Sequence, residues 1–283
     1  MREEALRKAG QEIRLIVCDM DGTLLSSRRR ISPGTLAAVR EAQERGIFVT
    51  LCSGRAHAMM YMYSRILAIE GPLIACNGAI VLDTRTGELL DKKLMVPDAI
   101  MALMEFCRSK GFDHLMVSSE GCWYGEGSKR VYRFEEYNHI AEADSLPLVP
   151  LHAFGPDYRP SFSGEIYNAL ISGLSAEGMR MTVAEIQSIG SLAYTSSEQG
   201  LLDISAAGVH KGEGIRSLAR LLGMEKHQIC VFGDFLNDIP MFAEAGLPIA
   251  MGNGEEPVKA QARAVTDSND EDGVARAIRR YIL

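Results

Sequence analysis

Ile13-Arg14-Leu15-Ile16-Val17-Cys18-Asp19-Met20-Asp21-Gly22-Thr23 decides how the rest of this chain is read. The run from Ile13 to Cys18 is β-branched and apolar, and it stops abruptly at two aspartates and a glycine. A short apolar run bounded by turn residues reads as a strand buried on both faces, the kind a parallel sheet contains. Asp19 and Asp21 then stand two residues apart at the end of a hydrophobic strand, where each disfavours ionisation of the other. A divalent cation resolves that conflict. Magnesium takes oxygen ligands and uses only one or two protein carboxylates, which leaves room for water and phosphate. Gly22 permits the tight turn. By itself the stretch also reads as a turn that uses Asp and Gly for local hydrogen bonds.

Outward from this strand the pattern repeats. Ser32-Pro33 opens a helix through about Glu44, with Ser32 as N-cap and Pro33 at the first helical position. Gly46 ends it, and Ile47 to Cys52 is a second strand that runs into Ser53-Gly54-Arg55. A helix over about Ala56 to Ile69 leads to a third strand, Leu73 to Cys76, followed by Asn77-Gly78. Strand and helix in strict alternation predict a parallel, doubly wound sheet, whose ligands sit beyond the carboxyl ends of the strands. Asp19, Ser53 and Asn77 all stand at such exits.

The alternation breaks between about Thr84 and Gln199, where helical stretches (Pro97 to Ser109, Ala176 to Ser188) mix with strands (His114 to Ser118, Ile166 to Ile171). Glu142 to Ser163 is rich in proline and turn residues. It resumes with the strand Leu201 to Ser205, the helix Lys211 to Leu222 and the strand Ile229 to Phe232 ending in Gly233-Asp234. A helix over about Asp238 to Ala245, the strand Pro248 to Met251 and a helical C-terminus from Val274 to Tyr281 follow. The expected architecture is α/β: a doubly wound, parallel, Rossmann-like sheet core (residues 1–85 and 200–283) with an inserted α+β cap domain (residues 86–199).

Bulk properties narrow the function. The 283 residues suit two modest domains, and 47% apolar with 24% charged residues suits a globular chain. A net charge of -7 offers no bulk attraction to a polyphosphate backbone, so nucleic acid is excluded as the expected partner. No stretch approaches the roughly 20 apolar residues of a membrane span, and the charged start MREEALRKAG, read as a short extension with a loose helical turn, lacks a signal peptide's apolar core. The cysteines (Cys18, Cys52, Cys76, Cys107, Cys122, Cys230) form no C-x-x-C pair, which fits a reducing cytoplasm. A monomer or a homodimer is expected.

Three further signals join the first. Gly233-Asp234-Phe235-Leu236-Asn237-Asp238 again puts carboxylates at a strand exit, although Asp238 or Asn237 alone also reads as a helix cap. Ser53-Gly54-Arg55 offers a hydroxyl and free backbone N–H groups as an anion seat; Ser53 alone also reads as a cap. Lys211 opens a helix just ahead of the Asp234 strand, the one feature that separates it from an ordinary surface lysine.

In order, D-M-D-G-T, a strand ending in Ser53, Lys211 and G-D-x-x-N-D resemble the four motifs of the haloacid dehalogenase-like superfamily, and the large insert resembles its Cof-like branch. Asn77-Gly78-Ala79, Met251-Gly252-Asn253 and Ser268 to Val274 add matches. Ser53 stands where many relatives have Thr, Gly254 with two glutamates follows Asn253 where Ala is more usual, and Phe235 stands where the branch often has Gly. The resemblance implies a magnesium-dependent phosphatase acting on a small phosphorylated metabolite, a sugar phosphate or similar ester. Asp19 would be the nucleophile that forms an aspartyl-phosphate, and Asp21 the general acid and base, its carbonyl also a metal ligand. Asp234 would bind the metal, with Asp238 as a ligand or as the residue orienting the ligands. Ser53, Gly54 and Lys211 would hold the phosphoryl oxygens, Asn77 would contact substrate, and Asn237 would contact substrate or hold the loop. A phosphomutase of the same superfamily, or a non-catalytic phosphometabolite-binding protein, are the alternatives. In the cap, Trp123, Tyr124, His114, Arg130, Arg133 and Tyr167 are polar or aromatic, but aromatic residues of a small α+β domain pack its core, and none is assigned to the site.

Overall fold

The computed structural model describes residues 2–155 and 164–283. Its parallel sheet has the strand order Ala264–Val265, Leu247–Ala250, Ile229–Gly233, Leu15–Cys18, Phe48–Leu51. Leu15–Cys18 is central and pairs in register on both sides, Cys18 facing Phe232 and Leu51. Successive side chains of a strand point to opposite faces, and both faces here are covered. Ile16, Cys18, Val49, Leu51, Cys230 and Phe232 pack under the helix Pro33–Glu44 and the C-terminal segment. Leu15, Val17, Ile229 and Val231 pack under Ile215 and Leu218 of the helix Lys211–Leu222 and under Met241 and Phe242. This two-faced burial explains why Leu15 to Cys18 is apolar without a break.

Ser32 caps its helix, its hydroxyl accepting from the Thr35 amide at 3.0 Å, with Pro33 at the first position as expected. Gly223 ends Lys211–Leu222 in the left-handed conformation. The stretch expected as one helix over Ala56 to Ile69 is a 3-10 turn, His57–Met60, followed by a short helix, Tyr61–Ile66. The charged N-terminus is more than a loose turn. Arg2–Gln11 is helical, Leu6 is buried, Glu3 pairs with Arg280 at 3.0 Å, and Gly10 lies against the Tyr281 carbonyl where a Cβ would stand only 1.7 Å away. Its ordering comes from the far end of the chain, which its own composition does not reveal.

Two strands have other partners than their sequence suggested. Pro72–Ala75 meets the parallel sheet at the Cys52–Ile74 bridge and through the Thr50 hydroxyl, which donates to the Pro72 carbonyl at 2.6 Å, and pairs antiparallel with Ile80–Asp83, which pairs with Leu89–Lys92. Leu202–Ala206, expected in the core, pairs antiparallel with Leu192–Thr195 and Ile166–Ser172 and belongs to the insert's sheet. Pro72–Ala75 is a short buried apolar run, and such a run does not disclose its neighbour, whereas Leu202–Ala206 alternates Leu202, Ile204 and Ala206 with Asp203 and Ser205, a pattern that suits an antiparallel strand. The insert's sheet has the order Leu192–Thr195, Leu202–Ala206, Ile166–Ser172, Asp113–Ser118, Gly121–Tyr124, Leu151–Ala153. One apolar cluster joins it to the helices Pro97–Lys110 and Ala176–Ile189. The helix Tyr132–Ala143 bridges to the core, its Tyr137 hydroxyl donating to the Ala58 carbonyl at 2.5 Å. The turn-rich stretch Glu142 to Ser163 passes outside the described residues at 156–163. The chain is thus an α/β protein with a Rossmann-like parallel core and an α+β insert. Its strand pairing supports a division that gives residues 202–206 to the insert and 89–92 to the core, a boundary we propose.

Candidate active site

Adjacent parallel strands carry Asp19 and Asp234 past their carboxyl ends, and the turn after Asp234 brings back Asp238. One carboxylate oxygen from each of the three lies within 4.8 Å of the others. All three side chains are buried, and Lys211, only 1% exposed, stands among them. Its Nζ donates to Asp19 Oδ1 at 2.5 Å and to Asp238 Oδ1 at 2.6 Å. The other Asp238 oxygen accepts from the amides of Asp234 at 2.8 Å and Phe235 at 3.0 Å, so Asp238 holds the turn that presents Asp234. Asp234 Oδ1 accepts from the Thr23 hydroxyl at 2.6 Å. Burial pushes the Asp19 carboxyl well up, Asp238 and Asp234 add to it, and Lys211 opposes them. Burial and Asp238 push Asp234 up to about 7. Burial alone would lower Lys211, but Asp19 and Asp238 hold it charged. One ammonium among three buried carboxylates leaves an excess of negative charge that a divalent cation would neutralise. The all-oxygen donor set suits magnesium.

Gly22 closes the turn at φ +85°, and a Cβ there would stand 2.3 Å from Asp234 Oδ2. Both the backbone and the space require glycine. Gly22→Ala is expected to destabilise the fold by about 1–2 kcal/mol through its left-handed φ. Displacing Asp234 should also weaken magnesium binding on the order of tenfold. Thermal unfolding and calorimetric titration read the two effects, and an alanine variant that binds magnesium like wild type would contradict the close packing. The turn is braced from behind. Asn253 donates to the Gly22 carbonyl at 2.8 Å and accepts from the Asn269 amide at 3.0 Å, and Asn269 donates to the Leu25 carbonyl at 2.8 Å. Asp270 accepts from the Ser27 amide at 2.8 Å. These contacts give the Met251-Gly252-Asn253 and Ser268 to Val274 stretches a physical role.

A cavity of about 400 Å³ opens above the cluster and is lined by Asp19, Asp21, Ser53, Gly54, Phe235 and Asn237 among others. Asp21 faces it and takes a two-pronged ion pair from Arg55, at 2.8 Å from Nε and 2.6 Å from Nη2. Burial in the cleft raises the Asp21 carboxyl, but Arg55 outweighs it and holds the group below the ordinary carboxylate range. Ser53 is buried, and its hydroxyl accepts from the Arg55 amide at 3.3 Å. Asn77 lies one layer deeper, outside the lining, in the left-handed conformation at φ 53°. Its Oδ1 accepts from Asn237 at 3.1 Å, so it positions Asn237 instead of facing the cavity. Lys211 likewise lies behind the lining.

Of the six insert residues singled out from sequence, only Arg130 and Arg133 reach the cavity. Trp123 stacks on His152 at 4.7 Å, His114 stacks on Phe154 at 6.2 Å, and Tyr167 meets the edge of His57 at 5.8 Å. Tyr124 lies on the strand Gly121–Tyr124 outside the lining. Arg28, Arg29, Arg30, Arg55, Glu198 and Asp203, none of them assigned to the site from the sequence, also line the cavity. Arg55 was signalled by its place directly after Ser53-Gly54. The others come from a loop and from the insert, where no spacing points at the site.

This arrangement is that of a known class. A family model described as haloacid dehalogenase-like hydrolase matches residues 16–278. A 5-amino-6-(5-phospho-D-ribitylamino)uracil phosphatase of Bacillus subtilis (YcsE) is 30% identical over 99% of this chain and 100% of its own. The pyridoxal phosphate phosphatase YbhA of Escherichia coli is 26% identical over 95% and 99%. Among solved structures, a haloacid dehalogenase-like hydrolase from Bacteroides thetaiotaomicron superposes with a TM-score of 0.80 at 26% identity, covering 95% of this chain and 99% of that one. A subclass IIB sugar phosphatase superposes with a TM-score of 0.80 at 25% identity, covering 95% and 100%. The chain belongs to the haloacid dehalogenase-like hydrolases, in their Cof-like branch, and is a phosphoric monoester hydrolase. Its class acts on small phosphorylated metabolites, and no helix among the described residues is long and apolar enough to cross a membrane.

Proposed function

We propose that this phosphatase is magnesium-dependent and hydrolyses small phosphomonoesters, sugar phosphates or similar metabolites, through an aspartyl-phosphate on Asp19. The observation that carries the reading is the buried cluster of Asp19, Asp234 and Asp238 around one lysine, from which Asp19 reaches the lining of an open cavity. Asp19, Asp234 and the Asp21 carbonyl would hold the metal, with Asp238 fixing the turn; bound there, it would neutralise phosphoryl charge. Asp19 attacks phosphorus, and the P–O bond to the leaving group breaks as the Asp21 carboxyl gives that oxygen its proton. Water then attacks the aspartyl-phosphate, Asp21 takes the water's proton, and phosphate leaves. The Arg55 pair favours the Asp21 carboxylate and so suits the second half; the first requires Arg55 to release it. Lys211 orients the Asp19 oxygen and offsets its charge, and Ser53 and Gly54 supply donors to the phosphoryl oxygens. Six buried, unpaired cysteines support a cytoplasmic setting.

The direct test is phosphate release from a panel of phosphomonoesters with magnesium and with chelator; equal release in both would sink the metal requirement. The pH dependence of binding gives a second. Protons and magnesium compete for the same Asp234 oxygens, so affinity is expected to fall up to ~10-fold per pH unit below about 7. The stability of metal-free protein has a definite sign. A carboxyl raised to about 7 in the folded chain binds more protons folded than unfolded, so lowering the pH through 7 stabilises it. Chelated protein should therefore melt higher at pH 6 than at pH 8, and the magnesium-induced rise should be larger at pH 8. A pH-independent magnesium affinity would count against Asp234 as a ligand.

A further inference from the structure

Beyond the aspartate cluster, the walls of the cavity are dominated by arginine. Arg28, Arg29, Arg30, Arg55, Arg130 and Arg133 all line it. Against them, besides Asp19, stand four carboxylates, Asp21, Glu136, Glu198 and Asp203. Asp21 is taken by Arg55, and Glu136 by Arg29 at 3.1 Å. Asp203 is buried beneath the Ser197 hydroxyl, which donates to it at 2.6 Å, and burial raises its carboxyl. Arg130 and Arg133 share the remaining one. Glu198 accepts from Arg130 Nη1 at 3.0 and 3.1 Å and from Arg133 Nη2 at 3.3 Å. Among the described residues Arg28 and Arg30 have no carboxylate partner, and Arg133 Nε is buried with none of any kind. Two forks on one half-exposed carboxylate, with a buried N–H left over, form a seat able to hold an anion other than Glu198. It lines the cavity from the insert's side, with Arg133 near enough to Asp21 to act on its charge.

We infer that the preferred substrate carries a second anionic group on its leaving portion, a carboxylate or another phosphate, which takes the place of Glu198 between Arg130 and Arg133. This rests on the phosphatase reading above and narrows its substrate class. Glu198 is then a stand-in that keeps the two guanidinium groups paired while the cavity holds only water, and it yields when the substrate's anion arrives. The overall charge of -7 does not oppose this, since the surplus of arginine is local to the cavity.

Matched esters test it: 3-phosphoglycerate against glycerol 3-phosphate, 6-phosphogluconate against glucose 6-phosphate, and fructose 1,6-bisphosphate against fructose 6-phosphate. The measured quantity is the ratio of kcat/KM for the anionic to the neutral member, so a general loss of activity cancels. Wild type is expected to favour the anionic member by roughly 10-fold or more, the worth of a charge-assisted hydrogen bond. Arg130→Gln should lower that ratio, and Glu198→Gln, which removes the competing carboxylate, should raise it. Opposite movements are what a merely structural role would not produce. The carboxylate and phosphate pairs show which anion is seated. Equal or better hydrolysis of the neutral members, with a ratio indifferent to both variants, overturns the inference and leaves the phosphatase reading standing. No release from any ester, in protein that binds magnesium, removes both.

Discussion

Asp19→Asn is expected to lower kcat on the order of 10⁴-fold or more, because an amide oxygen does not displace at phosphorus and the remaining groups only bind and orient. The same change should leave the fold intact or strengthen it. Asp19 is one of three carboxylates crowded around one ammonium, and two of them, Asp19 and Asp234, are pushed up by burial and by their neighbours. Removing one charge relieves that repulsion, while Lys211 keeps Asp238. Sites built for chemistry commonly trade stability for it. Melting the variant in chelator should therefore give a midpoint at or above wild type, with a smaller rise on adding magnesium. Phosphate release above about 1% of wild type, far outside the loss expected of a missing nucleophile, would remove Asp19 from that role.

Much of this was legible in the chain itself. Runs buried on both faces are unbroken in sequence, and the alternation of Ile16 and Cys18 with Leu15 and Val17 between two apolar clusters shows why. Asp19, Asp234, Asp238 and Lys211 stand where strand exits and helix starts put them, and the structure brings all four together. Partnership was less legible. Pro72–Ala75 has the composition of a core strand but pairs antiparallel with a neighbour that no local pattern names, and in Leu202–Ala206 the alternation of Leu202, Ile204 and Ala206 with Asp203 and Ser205 was the one local sign of its antiparallel partners. Asn77 stands at a strand exit, yet its backbone turns it away from the cavity and onto Asn237. The leaving-group side was least legible. Arg28 to Arg30, Arg130, Arg133 and Glu198 converge from a loop and from the insert, and each alone reads as a solvated charge.

Lys211→Met should have the second large effect, and it separates electrostatics from packing. The thioether chain fills much of the lysine's volume, so the loss is chiefly of charge. It leaves Asp19 and Asp238, which lose their shared donor, and Asp234 within one buried pocket. Removing one partner of a buried ion pair destabilises by about 3–5 kcal/mol, since the stranded charge lacks both its counterion and water. Activity should fall by roughly 10²–10³-fold as well, the usual loss on deleting one group that stabilises transition-state charge. Two additions sharpen the test. Magnesium supplies positive charge to the same carboxylates and should restore part of the melting temperature in Lys211→Met. Lys211→Met/Asp238→Asn should also recover part of it, since it removes one of the stranded anions, although the amide holds the Asp234 and Phe235 amides less tightly than the carboxylate does. If Lys211→Met in chelator melts with wild type, the carboxylate cluster does not depend on the lysine's positive charge, and the case for a cation site at its centre loses its electrostatic basis.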